Sequence, residues 1–141
     1  MAKMAIDVMT PDPACCRPTT TLDLVAKMMA QNDCGEIPVV DIAEHPIGVI
    51  TDRDIVCRVV AEGMNPMAHT VEPYMTQPVV TVRVNAPLDE VVTCMERHQV
   101  RRLPVVDDGG RLVGIIAQAD LAEAVPDAAL KVVRAVSDKD T

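Results

Sequence analysis

The sequence predicts a mixed α/β (α+β) protein that consists of two copies of one β-α-β-β-α unit. Three observations support this fold class: an ungapped internal repeat, a helical pattern of apolar residues that occurs twice, and two pairs of short runs rich in β-branched residues. The chain has 141 residues, 49% of them hydrophobic, and each half alone would have only a small core. We therefore expect the two halves to pack their sheets face to face about a pseudo-two-fold axis.

The internal repeat keeps one register over most of the chain. Four motifs recur at a spacing of 66 residues: Met-Thr at positions 9 and 75, Leu-Asp at 22 and 88, Pro-Val-Val-Asp at 38 and 104, and Gly-x-Ile-x-x-x-Asp at 48 and 114. Chance matches would not hold one register over so long a stretch. The chain is therefore a duplication, and the repeat sets the architecture before any single element is assigned.

Each copy begins with a short extended segment, at 14–17 and at 79–82. A helix follows, because apolar residues recur at the i, i+3, i+4 and i+7 positions that line one face of a helix. In the two copies these residues are Leu22, Val25, Ala26 and Met29, and Leu88, Val91, Val92 and Met95.

Two apolar runs come next in each copy and indicate a β-hairpin, formed by 37–40 with 47–50 and by 103–106 with 112–116. Between the second pair, the residues DDGG are a typical hairpin turn. A closing helix begins near Asp52 in the first copy and near Gln118 in the second. In the first copy Gly63 is its expected end, and four residues are expected to face the core: Ile55, Val56, Val59 and Val60.

These elements predict two domains, at 7–62 and 73–125. A short polar linker, 63–72, joins them, and a C-terminal extension follows at 126–141. Within the extension, the apolar residues of 127–136 could form one more amphipathic turn or helix.

Composition excludes several classes of function. The net charge is −8 and Tyr74 is the sole aromatic residue, so a basic or base-stacking nucleic-acid surface is not expected. No apolar run is long enough for a membrane span or a signal peptide, which favours a cytoplasmic protein. Five cysteines without C-x-x-C or histidine-ligand spacing predict neither a disulfide framework nor a metal site. The single serine, Ser137, lies in the polar tail, so no serine nucleophile is expected. No nucleophile–base pair or paired carboxylates appear beyond Asp52 and Asp54, which fit roles at a helix start, so we expect no catalytic residues and no enzyme.

The repeated pattern MT, LD, PVVD and G-h-h-[TS]-x-x-D resembles a tandem pair of cystathionine-β-synthase (CBS) domains, the Bateman module. The resemblance covers roughly 7–125, and the runs TDRDIV and HQVRRLPVVDD are similar to stand-alone bacterial CBS-pair proteins of the hypoxic-response type. It implies a non-catalytic regulatory module that needs no cofactor and binds AMP, ADP, ATP, S-adenosylmethionine or a related adenosyl compound in clefts between the copies. It also implies a homodimer.

Thr51 and Asp54 are the main candidate ligand-binding residues. They stand where a strand ends and a helix begins, so free backbone N–H groups there can hold a phosphate. The resemblance implies that the Thr51 hydroxyl contacts phosphate and that the Asp54 carboxylate accepts hydrogen bonds from ribose. Thr-x-x-Asp is equally the pattern of a helix capping box without a ligand. In the second copy Asp120 is kept but Ala117 replaces the hydroxyl, which predicts two unequal sites.

Further candidates come from the neighbouring strands. Arg101 and Arg102 precede a strand, where a basic residue in similar CBS pairs reaches a phosphate across the domain interface; alternatively they form a solvated rim with nearby acidic residues. No aromatic residue stands near the motifs, so adenine would lie among aliphatic groups such as Ile37 and Val39. Cys16 falls close to where the family places the base. The remaining basic residues of the first closing helix, Arg53 and Arg58, are expected to be surface residues.

Two other functions remain open at this point. The chain could be a CBS-fold scaffold or interaction protein that serves an unknown protein partner without a tight ligand, as the missing hydroxyl at Ala117 and the acidic composition would allow. It could also be a redox- or metal-responsive protein that works through Cys15 and Cys16, although free cysteines that pack as small apolar residues are the simpler interpretation.

Overall fold

The computed structural model describes residues 3–124, 135 and 136. These residues form two compact units. The first-copy unit contains 14–79, and the second-copy unit contains 3–13 together with 80–124, 135 and 136. Within the described residues, no helix has both the length and the apolar character needed to cross a membrane.

The helices and strands of each copy follow the order that the repeat predicts, after a short helix and strand at the start of the chain. In chain order they are α1 (Ala5–Val8), β1 (Thr10–Pro11), α2 (Leu22–Asn32), β2 (Glu36–Val40), β3 (Pro46–Thr51), α3 (Asp52–Ile55), β4 (Val82–Arg83), α4 (Leu88–His98), β5 (Arg102–Val106), β6 (Leu112–Ala117) and α5 (Gln118–Ala124). A π-helical turn, Val56–Val60, continues α3, and two 3-10 turns, Pro66–Ala68 and Glu72–Tyr74, follow it. The predicted β-α-β-β-α order and mixed α/β class are confirmed in both copies.

In the first-copy unit, β2 and β3 form an antiparallel hairpin in which Ile37 pairs with Ile50. The extended segment before α2 adds a parallel bridge, Cys16 to Val39. On the other edge, Thr76 bridges Val49 in the antiparallel sense, with N···O distances of 2.8 and 3.2 Å. The hairpin therefore has a neighbour on each side.

The second-copy unit repeats these pairings; its parallel and hairpin pairs lie 66 residues further along, but its outer-edge partner, Thr10, lies 66 residues before Thr76. Its sheet has the order β1-β6-β5-β4, in which Val82 of β4 pairs in parallel with Val105. On the other edge, Thr10 of β1 pairs with Ile115 of β6. The segment 7–13, predicted as part of the first domain, thus lies in the second-copy unit, while the second Met-Thr motif lies in the first-copy unit. The predicted range 7–62 and the first-copy unit differ in this segment.

The repeated Met-Thr and glycine motifs are explained by contact with each other. A Cβ atom on Gly48 would lie 2.8 Å from the Thr76 carbonyl oxygen and 3.1 Å from the Met75 sulfur. On Gly114 it would collide with the Met9 sulfur and lie 3.1 Å from the Thr10 carbonyl oxygen. A side chain at either glycine would therefore force the edge segment away from its strand.

The helix α4 buries the predicted face, whereas α2 and the segment after α3 bury narrower faces than the sequence predicts. In α4 all four predicted residues are buried, but in α2 Ala26 is exposed while its three partners are buried. After α3, Ile55 and Val59 are buried, whereas Val56 and Val60 are 57% and 54% exposed. The prediction that Ala26, Val56 and Val60 face the core is wrong, because the core of the first-copy unit covers only one side of these helices.

The predicted linker, 63–72, is part of the first-copy unit. Val71 is fully buried in its core, and the His69 carbonyl accepts a hydrogen bond from the Leu22 N–H at 3.0 Å. Gly63 ends the closing helix with a positive φ of 74°, as predicted. Of the predicted C-terminal helix at 127–136, only residues 135 and 136 are described; they are helical, and Val136 lies in the second-copy core.

Candidate functional site

The turn from β3 into α3 brings Thr51 and Asp54 together, as the sequence predicts. Thr51 is the N-cap of α3: its Oγ1 accepts a hydrogen bond from the Asp54 N–H at 3.1 Å. Asp54 Oδ2 accepts the Thr51 N–H at 3.0 Å. The two residues therefore form a complete capping box, which is the ligand-free interpretation of this motif.

The capping box leaves hydrogen-bonding capacity for a second molecule. A threonine hydroxyl that accepts one bond still has its proton to donate, and an ionised carboxylate can accept at both oxygens. At Asp54 the box occupies Oδ2, while Oδ1 faces the Arg58 guanidinium at 3.9 Å. The Asp54 side chain is 17% exposed, so solvent reaches it. One donor and one acceptor are thus held at fixed positions near the start of the helix.

The second copy has half of this arrangement. The Ala117 N–H donates to Asp120 Oδ2 at 2.7 Å, which reproduces the bond from Thr51 to Asp54. Alanine has no hydroxyl, so the reciprocal bond and its free proton are absent. The two turns therefore present different groups.

The loop before each hairpin is closed against the turn in the same way. The Asp52 N–H donates to the Gly35 carbonyl at 2.9 Å, and the Gln118 N–H donates to the Arg101 carbonyl at 2.8 Å. At the next position, Glu36 lies opposite Thr51 and Arg102 lies opposite Ala117. The complete capping box thus has an acidic cross-strand neighbour, and the incomplete one has a basic neighbour.

The other predicted site residues are placed as follows. Ile37, Val39 and Cys16 lie in the first-copy core, exposed by 1%, 0% and 3%. Arg101 is exposed and Arg102 is half-buried at the start of β5. Their roles toward a ligand remain predictions.

Arg58 is a surface residue, as the sequence predicts, with a side chain that is 48% exposed, but its head group has several partners. Its Nη1 donates to the Tyr74 carbonyl at 2.7 Å and faces Asp54 Oδ1 at 3.9 Å. Its guanidinium carbon lies 5.5 Å from the Tyr74 ring centroid, a cation–π distance. The contact with Asp54 could have been predicted, because residues four apart on a helix are neighbours. No sequence pattern indicated the contact with Tyr74.

A recess of about 490 Å³ opens on the first-copy unit, lined by Pro46, Ile47, Gln77, Pro78 and Val79. Pro46 begins β3 and Thr51 ends it. At about 3.3 Å per residue, the recess and the turn are roughly 16 Å apart along the strand. The recess lining is largely apolar, whereas the turn offers polar groups.

Burial raises the pKa of the adjacent thiols Cys15 and Cys16. Burial raises the pKa of the Cys16 thiol to about 12, with a smaller contribution from the neighbouring Cys15. Burial and then the Glu44 carboxylate raise the pKa of Cys15. Reactive and metal-binding cysteines have lowered pKa values instead. Within the described part of the chain, no three His, Cys, Asp or Glu side chains are grouped closely enough to hold a metal ion.

The profile of the CBS domain family matches residues 5–61 and 71–127. The chain belongs to the CBS domain family. The first matched range contains the Thr51 turn and the second contains the Ala117 turn, so the two copies together form a CBS pair.

The CBS-pair relatives include uncharacterised and named proteins. The chain is 38% identical over 109 residues to the uncharacterised protein MK0525 of Methanopyrus kandleri, covering 77% of this chain but 56% of that protein. It is 36% identical over 126 residues to hypoxic response protein 1 of Mycobacterium tuberculosis, covering 89% and 87% of the two chains. The similarity to a stand-alone CBS-pair protein is thus confirmed.

Two solved structures resemble the chain closely. Hypoxic response protein I with two coordinated zinc ions superimposes with a TM-score of 0.80 at 35% identity, covering 88% of this chain and all of that one. The CBS pair of protein MJ0100, in complex with 5′-methylthioadenosine and S-adenosylmethionine, gives a TM-score of 0.77 at 26% identity and 90% and 98% coverage.

Proposed function

We propose that this chain is a regulatory module that binds an adenosyl compound at the Thr51–Asp54 turn and carries out no catalysis of its own. The candidate ligands are AMP, ADP, ATP and S-adenosylmethionine. The observation that carries the proposal is the arrangement of the capping box, in which the Thr51 proton and Asp54 Oδ1 are left for a ligand. The CBS pair of MJ0100, which binds 5′-methylthioadenosine and S-adenosylmethionine, supports the ligand class.

The chemistry of this turn suits a nucleoside. A ribose presents two adjacent hydroxyl donors, and an ionised carboxylate accepts them with charge-assisted hydrogen bonds. The Thr51 hydroxyl can donate to a phosphate or another acceptor on the 5′ side. At the second turn the Asp120 carboxylate can accept hydrogen bonds from a ribose, but Ala117 has no hydroxyl to donate to the 5′ side. We therefore propose that the Thr51 turn is the stronger of the two sites.

The experiment is a calorimetric titration of the purified chain with AMP, ATP and S-adenosylmethionine. Asp54→Asn is the test variant, because its amide oxygen can still cap the helix while its NH₂ group cannot accept from ribose. Asp52→Asn is the matched control: it removes the same charge from an exposed residue of the same helix turn. Loss of a hydrogen bond to a charged group costs about 1.5–3 kcal/mol, so Asp54→Asn should weaken binding roughly 10-fold or more.

Two results of that titration would contradict the proposal. One is equal binding by both variants, which would separate Asp54 from the ligand. The other is no binding of any of the three compounds by the wild type, which would favour a CBS-fold scaffold that acts through a protein partner.

We also propose that the chain acts as a homodimer in the cytoplasm. Apolar side chains of the first-copy unit are strongly exposed on its helical segments: Leu24, Val56, Val60 and Met67, at 46%, 57%, 54% and 69%. Burial of such side chains by a second copy would be favourable by about 25 cal/mol per Å². The five free cysteines are consistent with a reducing compartment.

A further inference from the structure

Within the first-copy unit, Arg58 connects the Thr51–Asp54 turn with the backbone of Pro73 and Tyr74, which follows the predicted linker. It lies in the π-helical turn after α3. Its Nη2 is 3.4 Å from the Pro73 carbonyl and its Nη1 is 2.7 Å from the Tyr74 carbonyl. The guanidinium also stacks on the Tyr74 ring at 5.5 Å. These contacts hold the head group of an otherwise half-exposed side chain in one place.

The third contact of Arg58 is with the acceptor that a ribose would use. Nη1 lies 3.9 Å from Asp54 Oδ1, whereas Oδ2 is held by the Thr51 N–H at 3.0 Å. The two interactions act on different oxygens of one carboxylate, so together they resist its rotation. At 3.9 Å the guanidinium attracts the charge without making a close hydrogen bond, which leaves Oδ1 able to accept from another molecule.

The second copy lacks this device. The residue 66 positions after Arg58 is Ala124, a small residue at the end of α5 that packs against the second-copy core. Asp120 therefore has one backbone partner, from Ala117, and no arginine four residues later. The presence of arginine in one copy alone correlates with the complete capping box in the same copy.

We propose that Arg58 is a positioning residue for the Asp54 carboxylate, and that it thereby sets the selectivity of this turn for ribose over 2′-deoxyribose. This inference rests on the proposed function, because it takes Asp54 as the ribose acceptor. Arg58 acts through Asp54 and does not itself contact the ligand. The groups that hold it are backbone carbonyls and an aromatic face, so its position depends on the fold and not on other surface charges.

The test compares the affinities of AMP and 2′-deoxy-AMP by calorimetry in wild type, Arg58→Gln and Arg58→Lys. Arg53→Gln is the matched control, since Arg53 is an exposed arginine of α3 and its loss changes the net charge equally. Wild type and Arg53→Gln should bind AMP about 10-fold more tightly than the deoxy compound, the order of magnitude for one charge-assisted hydrogen bond. Arg58→Gln should reduce this ratio to about 3 or less, and Arg58→Lys should restore part of it.

The ratio of the AMP affinity to the 2′-deoxy-AMP affinity distinguishes a positioning role of Arg58 from a general effect on the fold. If Arg58→Gln weakens both compounds equally and the ratio stays at the control value, Arg58 only stabilises the fold and the inference is overturned, while the proposed function stands. If the wild type binds neither AMP nor S-adenosylmethionine, the proposed function and the inference fail together. Should Arg58→Gln not fold, as judged by circular dichroism, the ratio for Arg58→Lys decides: an unchanged control value overturns the inference.

Discussion

Replacement of Gly48 by alanine tests the contact between the second Met-Thr motif and the first-copy hairpin. A Cβ atom at this position would lie 2.8 Å from the Thr76 carbonyl oxygen and 3.1 Å from the Met75 sulfur. The Met75 side chain can rotate away, but the Thr76 backbone is fixed, because its N–H and its carbonyl are both hydrogen-bonded to Val49. The strain must therefore be relieved by separation of the edge segment from β3.

The expected cost follows from two contributions. Overpacking of a tight site costs about 1–3 kcal/mol, and each hydrogen bond lost between Thr76 and Val49 adds about 1 kcal/mol. We expect Gly48→Ala to lower the free energy of unfolding by about 2–4 kcal/mol. At Gly109 the nearest atom to an added Cβ is an Asp107 carboxylate oxygen at 3.4 Å, so Gly109→Ala should change stability by only about 0.5 kcal/mol.

Urea denaturation followed by far-ultraviolet circular dichroism is the suitable assay, because the chain has no tryptophan. The midpoint should fall for Gly48→Ala and stay near the wild-type value for Gly109→Ala. Met75→Ala added to Gly48→Ala should not restore stability, since the backbone carbonyl is the closer atom. A Gly48→Ala variant as stable as the control would refute the contact between the motif and the hairpin.

Three further predictions concern the turns, the exposed helix face and the buried thiol. Ala117→Thr should complete the second capping box, adding about 0.5–2 kcal/mol to the free energy of unfolding and tightening AMP binding at that turn; unchanged stability and affinity in urea and calorimetric titrations would contradict this. Val60→Asp should shift the protein from dimer to monomer in sedimentation, whereas Asp at the 96% exposed Ile42 should not; equal behaviour of the two variants would reject the proposed dimer face. The raised pKa of Cys16, about 12, should make its thiol slow to react with iodoacetamide at pH 8 compared with the exposed Cys57. As the pH rises, the Cys16 thiol ionises at a lower pH in the unfolded chain than in the folded one. Its contribution to the free energy of unfolding should therefore be complete below about pH 9 and be lost between about pH 9 and 12. If the free energy of unfolding of Cys16→Ala falls over this range as steeply as that of the wild type, this prediction is wrong.

The order of the elements could be read from the sequence because it depends on local periodicity and on the repeat. The stripe Leu88, Val91, Val92 and Met95 is buried as predicted, and the hairpins have the same register in both copies. The partner of the Met-Thr motifs could not be read in this way. The strand β1 has only two residues, too few to show a hydrophobic period. Its partner, β6, belongs to the other copy in sequence, so the repeat does not indicate the pairing.

The exposed apolar residues show a second limit of periodicity. Val56 and Val60 are about as hydrophobic as Ile55 and Val59. Hydrophobicity therefore does not indicate that the first two are exposed and the last two are buried. Their exposure depends on what covers the helix, which is a property of the tertiary structure. Residues of this kind are more informative about assembly than about the core.

At the candidate site, the sequence indicated the capping box as one of two interpretations of Thr51 and Asp54, and it showed the missing hydroxyl at Ala117, because both depend on residues three apart in the chain. It did not predict the contact of Arg58 with Tyr74, which joins residues 16 positions apart. A long-range contact without a repeated counterpart leaves no pattern in one sequence. The orientation of the Asp54 carboxylate therefore became visible only in the structure.

The most direct measurement is a crystal structure of the chain grown with AMP or S-adenosylmethionine. We expect the ribose hydroxyls to lie about 3 Å from Asp54 Oδ1, with the Thr51 hydroxyl directed at the 5′ substituent and the capping box intact. A ligand seated in the recess beside Pro46, with Asp54 in contact only with Thr51 and Arg58, would contradict the assignment of the turn as the binding site.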